Sequence, residues 1–176
     1  NEAFVIMLQL CLALGSVFHD DPLSMKSMAI GWIHEAQLWL MLPPEKSRMT
    51  LAGIQIMCLL TLAKSVCGVG QDLTWVMAGS LVRNAMYMGL HRDPKHLAEM
   101  TTYRAEMRRR LWATILELNL QYSFEAGGLP LISPNEYDTL PPSNLNDDQL
   151  TDEPDGSCTS TPDQPTQSLI QIQLLK

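Results

Sequence analysis

The chain lacks the residue spacings that catalytic, nucleotide-binding and metal-binding motifs require. Its four cysteines stand at positions 11, 58, 67 and 158, so no pair has the C-x-x-C spacing of a zinc or redox motif. The sequence contains no G-x-S-x-G nucleophile motif and no glycine-rich phosphate-binding loop. Apolar residues that alternate with polar ones, the pattern of a half-buried strand, are nearly absent. These absences leave no constellation that argues for an enzyme, and they favour helices over strands.

A long apolar run is missing as well. The most apolar stretch, Ala3 to Phe18, has 16 residues, is interrupted by Gln9 and is followed by His19-Asp20-Asp21-Pro22. A helix needs about 20 apolar residues to cross a bilayer. The stretch also lacks the basic flank and the small-residue cleavage site of a signal peptide. It therefore predicts a buried core helix in a protein with no membrane contact.

Basic residues are almost absent from the C-terminal quarter. Residues 1–133 carry eleven basic and eleven acidic side chains, whereas residues 134–175 carry eight acids and no Lys or Arg. The net charge of −7 therefore belongs to the C-terminal part. Because the preceding residues are neutral as a whole, they have no global field that would attract nucleic acid. This predicts that the chain itself does not bind DNA.

Apolar residues are plentiful enough for a large core. Hydrophobic residues make up 46% of the chain and charged residues 18%, which excludes a disordered protein. Eleven Met and four Trp against three Phe favour a helical core with adaptable packing. Cys11, Cys58 and Cys67 lie in apolar stretches and are predicted to be buried free thiols of a reducing compartment. The start at Asn1 and the apolar end SLIQIQLLK give the expectation of a fragment truncated at both ends.

Turn residues divide the chain into about six helical pieces, and the predicted fold class is all-α. Apolar residues within the pieces recur at i, i+3 and i+4, the spacing of a helix with a buried face. Asp72 and Thr102 are predicted to cap the fourth and fifth helices, and Gly127-Gly128 to end the fifth. In that long helix Glu106 precedes Arg110 by four residues, which favours an ion pair. The predicted ranges are 2–17, 23–42, 47–66, 72–90, 102–126 and a truncated further helix at 168–176.

The composition changes after Pro130, where an extended Pro-rich acidic loop begins. Seven of the eleven prolines fall between positions 130 and 165, among Ser, Thr, Asn and Asp residues. Such a composition predicts an extended surface loop and then a flexible linker. We therefore divide the chain into part of a helical domain (1–146), an acidic linker rich in Pro, Ser and Thr (147–167) and the start of the further helix (168–176).

The histidine-containing motifs of the chain are incomplete. His91-Arg92-Asp93 matches the catalytic-loop triplet of protein kinases, but Pro94 replaces the next Leu and Ala98 stands where Asn is required. His34-Glu35 lacks the second His of H-E-x-x-H. His91 and His96 are five residues apart with a proline between them, so they do not share a helix face. The histidines are therefore predicted to be structural or surface residues, and no cofactor or metal is predicted for this fragment.

The only basic cluster of the sequence lies in the fifth helix and consists of Arg104, Arg108, Arg109 and Arg110. One interpretation is a face that contacts phosphate groups. The other is that the guanidinium groups bind carboxylates on neighbouring helices or on the acidic loop, a role that suits their rigid fork of donors. The cluster has acidic neighbours and no aromatic residues on its polar side, which favours the second interpretation.

Four short motifs follow one another in residues 80–144. They are Gly89 to Pro94 (GLHRDP), Glu106 to Trp112 (EMRRRLW), Gly128 to Pro130 (GLP) and Tyr137 to Pro141 (YDTLP). In this order and spacing they resemble the fungal-specific transcription factor domain, the middle regulatory region of fungal binuclear zinc-cluster transcription factors. One departure is Leu129, where many members have Arg. The family's six-cysteine zinc cluster is not in this chain.

The resemblance implies a nuclear, non-enzymatic domain that regulates RNA polymerase II transcription. It implies DNA binding, and zinc as a cofactor, only through the missing N-terminal cluster. The implied partners are other regions of the same polypeptide, transcriptional coregulators and, in some members, a small-molecule inducer. The residues that carry the family signature, in a structural or regulatory role, are Gly89, His91, Arg92, Asp93, Pro94, Glu106, Arg108, Arg109, Arg110, Trp112, Gly128, Pro130, Asp138 and Pro141.

Two hypotheses follow for how such a domain works. In the first, the three consecutive arginines at 108–110 hold a loop from Asp138 to Asp148 against the helices, and an effector that releases the loop shifts the protein toward an active state. In the second, Met and Trp residues of the second, fourth and fifth helices line a pocket for a small-molecule inducer.

Overall fold

The computed structural model of the chain describes residues 2–42, 48–146, 150, 166 and 171–172. This part contains five α-helices and no strand, so the all-α prediction is confirmed. The helices are α1 (Glu2–Gly15), α2 (Pro22–Met41), α3 (Leu51–Val66), α4 (Thr74–Tyr87) and α5 (Thr102–Glu125). Residues 171–172 are helical, but most of the predicted linker and of the predicted sixth helix lies outside the described residues.

The C-terminal ends of α4 and α5 are set by glycines with left-handed backbone angles. Gly89 has φ 71° and Gly127 has φ 65°. In each case the next residue folds back, so that the N–H of Leu90 donates to the carbonyl of Ala85 at 2.9 Å and the N–H of Gly128 donates to that of Ser123 at 2.8 Å. These bonds satisfy carbonyl groups that the helix end leaves without partners. The predicted stop at Gly127-Gly128 is therefore confirmed.

The helix starts differ from two predictions. A short 3-10 turn, Gln71–Leu73, precedes α4, so Asp72 lies within this turn and does not cap the helix. In α5 the cap is Thr101, whose hydroxyl accepts the N–H of Arg104 at 3.3 Å, and Thr102 is the first helical residue. Two adjacent threonines offer the same capping chemistry, so the sequence does not distinguish between them.

The core consists of two clusters that meet at α3. Ile54 and Cys58 of α3 pack with α4 and α5, whereas Ile56, Leu60 and Ala63 pack with α1 and α2. Because its two faces are both covered, α3 joins the two halves of the fold. The first cluster also contains Ala78, Leu81, Val82, Ala85, Leu90, Trp112, Ile115, Leu118 and Tyr122.

Helix α1 is buried on one face only, which corrects the prediction of a core helix. It buries Ile6, Leu10 and Ala13, while Phe4 remains 61% exposed. The predicted burial of Cys11 is also wrong, because this residue lies on the exposed face. Cys58 is buried as predicted, and its burial raises the pKa of the thiol to about 12. Among the described residues, no helix has both the length and the apolar character that a membrane span requires.

Two glycine substitutions are expected to change stability in opposite directions. Gly89→Ala places a Cβ on a residue with φ 71° and should lower the free energy of unfolding by about 1–2 kcal/mol. Gly31→Ala lies in the exposed interior of α2, where an added Cβ meets no atom within 4 Å, and should raise it by about 0.5–1 kcal/mol. Urea unfolding of both variants tests this, and equal effects would contradict the assigned helix end.

Candidate functional site

Most of the family-signature residues meet at one end of the fold, where an extended segment crosses two other elements. We call residues 137–145 the strap and residues 88–96 the α4–α5 turn. The N–H of Asp138 donates to the carbonyl of His91 at 3.0 Å, and the Thr139 hydroxyl donates to the carbonyl of Leu90 at 2.7 Å. The strap thus begins by pairing with the turn, nearly fifty residues earlier in the chain.

Asp93 is the centre of the contact between the turn, α5 and the strap. Its carboxylate is fully buried, with 0% of the side chain exposed. Arg109 of α5 binds both oxygens, through Nε at 3.0 Å and Nη2 at 3.1 Å. The N–H groups of Lys95 and Leu140 each donate to the same carboxylate at 3.0 Å. The four hydrogen bonds come from three separate segments, and together they satisfy the buried charge.

These partners keep Asp93 ionised in spite of its burial. Burial alone would raise the pKa of the carboxyl group. The hydrogen bonds from Arg109, Leu140 and Lys95, together with the positive charge of Arg109, outweigh this effect and hold the pKa well below its usual range. The ionised form is therefore the one that the folded structure stabilises.

Asp138 forms a second, more exposed contact with the turn. Its Oδ1 accepts the N–H of Asp93 at 2.7 Å, and its Oδ2 lies 3.2 Å from Arg92 and 3.9 Å from His96. The hydrogen bond from Asp93 lowers the pKa of this carboxyl group, with a further contribution from Arg92. The side chains of Arg92 and Asp138 are 57% and 38% exposed, so their ion pair adds little to stability. The backbone hydrogen bond is the stronger link.

Glu106 is a second buried carboxylate that holds the strap. Its side chain is 2% exposed and lies 3.1 Å from Nε of Arg110, which confirms the predicted ion pair at i, i+4. The N–H of Ser143 donates to both carboxylate oxygens, at 3.0 and 3.2 Å. Arg110 also donates to the carbonyl of Leu145. A buried carboxylate thus holds each half of the strap: Asp93 of the turn binds the first half through Leu140, and Glu106 of α5 binds the second half through Ser143.

The three consecutive arginines of α5 have three different partners. Arg109 binds Asp93, Arg110 binds Glu106 and Leu145, and Arg108 donates to the carbonyls of Met88 and Gly89 at 3.1 and 2.8 Å. Two of these arginines bind carboxylates, but those carboxylates lie in the α4–α5 turn and in α5 itself, not on a neighbouring helix or on the acidic loop as the interpretation had it. The hypothesis that all three hold the loop fits Arg110, which contacts the strap, and Arg109, which acts through Asp93. It does not fit Arg108, which binds carbonyls at the end of α4.

Aromatic packing also holds the first residue of the strap, Tyr137, against α5. Trp112 is 1% exposed, and Tyr137 meets its ring edge-on at a centroid distance of 5.7 Å. The ring of His91 lies 6.3 Å from that of Trp112. Burial and the charge of Arg92 lower the pKa of His91 in spite of Asp138. Pro94 is buried within the α4–α5 turn, and Pro141 is half-buried within the strap.

Two signature residues lie away from the strap. Gly128 packs against Trp75 so closely that an added Cβ would lie 3.0 Å from the ring. Pro130 is exposed and lines a groove beside the C-terminal half of α5. We call this space the α5 groove. Its volume is about 580 Å³, and its lining in the described part of the chain contains neither Met nor Trp.

The sequence did not identify the strap residues that contribute only their backbone. Leu140 and Ser143 bind the two buried carboxylates through N–H groups, which any residue except proline carries. Thr139 contributes its hydroxyl, but the partner is again a backbone group, the carbonyl of Leu90, which the sequence does not indicate. Within the described residues, no group of three or more His, Cys, Asp or Glu side chains is arranged to hold a metal ion.

The fold and the site define a helical domain whose polar centre is a buried ion-pair network that ties an extended segment to helices. The chain belongs to the fungal specific transcription factor domain family, whose model matches residues 1–176. The signature that the sequence suggested is thus found in a member of that family, although the role of each signature residue remains a prediction.

Curated relatives are fungal transcription factors. Transcription factor lepE of Aspergillus flavus is 45% identical over 164 residues, which is 89% of this chain and 20% of that protein. Transcription factor opdR of Penicillium oxalicum is 42% identical over 84% of this chain and 19% of its own length. The aspyridones cluster regulator apdR of Emericella nidulans is 37% identical over 85% of this chain and 21% of its own length. The chain thus spans about a fifth of the length of these relatives, and no solved structure matches it.

Asp93→Asn is expected to destabilise the protein by about 3 kcal/mol, because it leaves the Arg109 guanidinium facing a neutral group in a buried site. Chemical unfolding measures this effect. Asp72→Asn, which changes an exposed carboxylate in the turn before α4, is the matched control and should change stability by less than about 0.5 kcal/mol. Similar losses in the two variants would contradict the central role of Asp93.

The contribution of Asp93 should also depend on pH. Its pKa is lower in the folded than in the unfolded state, so its stabilising effect is complete above the unfolded pKa of about 3.9 and is lost as the pH falls below it. The difference in unfolding free energy between the wild type and Asp93→Asn should therefore stay constant from about pH 5 to 7 and shrink below about pH 4. A difference that grows at low pH would overturn this assignment.

Proposed function

We propose that this domain regulates RNA polymerase II transcription as part of a longer nuclear protein, in which a six-cysteine zinc cluster outside this segment binds DNA. Membership in the family and the fungal transcription factors among its relatives support a transcription regulatory domain. The observation that carries the regulatory part is the strap, an extended segment that two buried carboxylates hold against the helices and that an effector could release.

The strap is suited to a switch because its attachment is polar and local. Leu140 and Ser143 each attach it through one N–H group to one carboxylate, and both carboxylates are held by α5 arginines. An effector that binds the released strap more tightly than the docked one would shift the population between the two. Coregulators and other regions of the same polypeptide are the proposed effectors.

The arginines are unsuited to a DNA interface, which supports placing DNA binding elsewhere. Arg109 and Arg110 are paired with Asp93 and Glu106, and Arg108 donates to two carbonyls. Breaking those pairs to reach phosphates would leave two buried carboxylates without counter-ions, at a cost of several kcal/mol. The contacts therefore support a structural role for these residues.

The alternative of a small-molecule sensor has weaker support. The cavity lined by Met57 and Met77, between α2, α3 and α4, has about 120 Å³. Ligand pockets usually have at least about 300 Å³. Trp112, the most buried tryptophan, is packed in the core beside Tyr137 and does not line this cavity. Two larger spaces, of about 570 Å³ beside Trp39 and about 480 Å³ beside Trp75, have no methionine among their described lining residues. The inducer pocket lined by both Met and Trp therefore remains a prediction.

Strap release should change transcriptional output. In the full-length protein, Asp93→Asn and Glu106→Gln are expected to change the basal or induced activity of a reporter gene, because each removes a charge that holds the strap. Output is measured at equal nuclear protein levels, with Asp72→Asn as the control.

Unchanged output from both variants, when amide exchange shows that the strap is released, would contradict a regulatory role. Duplex DNA binding by the isolated 176-residue chain, with an affinity that falls steeply with salt, would contradict the placement of DNA binding outside it.

A further inference from the structure

The α5 groove is an apolar surface that the described residues leave open. It lies between the C-terminal half of α5 and residues 130–137, with Leu116, Leu120 and Phe124 on one wall and Pro130 and Ile132 on the other. Leu120 is 54% exposed and Phe124 is 85% exposed. Exposed large apolar side chains that cluster beside a groove are typical of an interaction surface.

The groove has the form that accepts a helix or an extended apolar segment. Leu116, Leu120 and Phe124 follow one another at intervals of four residues, so they form one continuous stripe along α5. Rows of this kind bind the apolar face of another helix. Glu117 is the one charged lining residue among those described, so the occupant is expected to be mostly uncharged.

A contact from the end of the chain indicates which segment occupies this surface. Gln171 lines the groove, and its side-chain amide donates to the hydroxyl of Thr114 in α5 at 2.8 Å. The hydroxyl of Thr166 donates to the side-chain oxygen of Asn144, next to the strap. The contact of Thr166 places the chain beside the strap, and that of Gln171 returns it to α5 after a separation of 57 residues.

The sequence around Gln171 fits the groove. Residues 168–175 read SLIQIQLL, with five apolar residues and no charge, whereas residues 147–163 contain six acids. Residues 171–172 are helical, and Ile172 is one of the five apolar residues. The segment therefore has the apolar, uncharged surface that the groove requires.

We propose that residues 168–175 are the intramolecular occupant of the α5 groove and cover Leu120 and Phe124 in the folded protein. Because the segment and the groove belong to one chain, their contact is intramolecular and needs no second molecule. The strap and the segment would both lie on α5, one beside its first half and the other beside its second. This inference does not depend on the proposed role in transcription.

Hydrogen exchange in the complete 176-residue chain tests the proposal. Leu120→Asp and Phe124→Asp change exposed positions of the groove, and Ile172→Asp changes the segment. Each should speed exchange in residues 114–125 and in residues 168–175 by about tenfold or more. Phe4→Asp, at an exposed apolar position of α1 (61%), is the matched control and should leave both regions unchanged.

The double variant Phe124→Asp with Ile172→Asp provides the second criterion. If the two residues share one contact, the double variant will accelerate exchange by clearly less than the product of the accelerations in the two single variants. Independent effects, or unchanged exchange in residues 114–125 after Ile172→Asp, would overturn the proposal.

The oligomeric state of the chain shows whether a second copy, and not residues 168–175, fills the groove. A dimer that dissociates after Phe124→Asp would show that a second copy fills the groove and would also overturn the proposal. A variant that also loses protection from exchange in α3 is globally unfolded and does not report on the groove. In that case the exchange of Ile172→Asp tests the proposal, because Ile172 lies outside the two core clusters.

Discussion

The buried ion pair between Asp93 and Arg109 is the interaction on which this end of the molecule depends. A buried carboxylate is costly unless its charge and its lone pairs are satisfied. Here the donors come from α5 (Arg109), the α4–α5 turn (Lys95) and the strap (Leu140). Because one charged group needs all three segments, none of them can shift without loss to the others. The position of the strap is therefore coupled to the packing of the helices.

Glu106 repeats this arrangement at the other end of the strap, and Arg108 extends it to the end of α4. These polar contacts lie beside the packed rings of Trp112 and Tyr137. Buried networks of this kind favour one arrangement strongly when every member is satisfied. When one member is removed, the network no longer favours a single arrangement. This property is what a segment needs if it is docked in one functional state and released in another.

Much of the fold could be predicted from local sequence signals, whereas only the local contacts of the site could. The helix end at Gly127 and the Glu106–Arg110 pair follow from short-range rules, and both are confirmed. The pair of Asp93 with Arg109 joins residues 16 positions apart across a turn, so no local rule identifies it. The exposed face of α1 was also missed, because an apolar helix has the same pattern whether or not the rest of the protein covers it.

Amide exchange at Leu140 and Ser143 measures the attachment of the strap directly, because these two N–H groups join the strap to the buried carboxylates. Asp93→Asn should accelerate exchange at Leu140 far more than at core amides such as that of Ile56, and Glu106→Gln should do the same at Ser143. If both amides exchanged at the wild-type rate in the two variants, the carboxylates would not be what holds the strap.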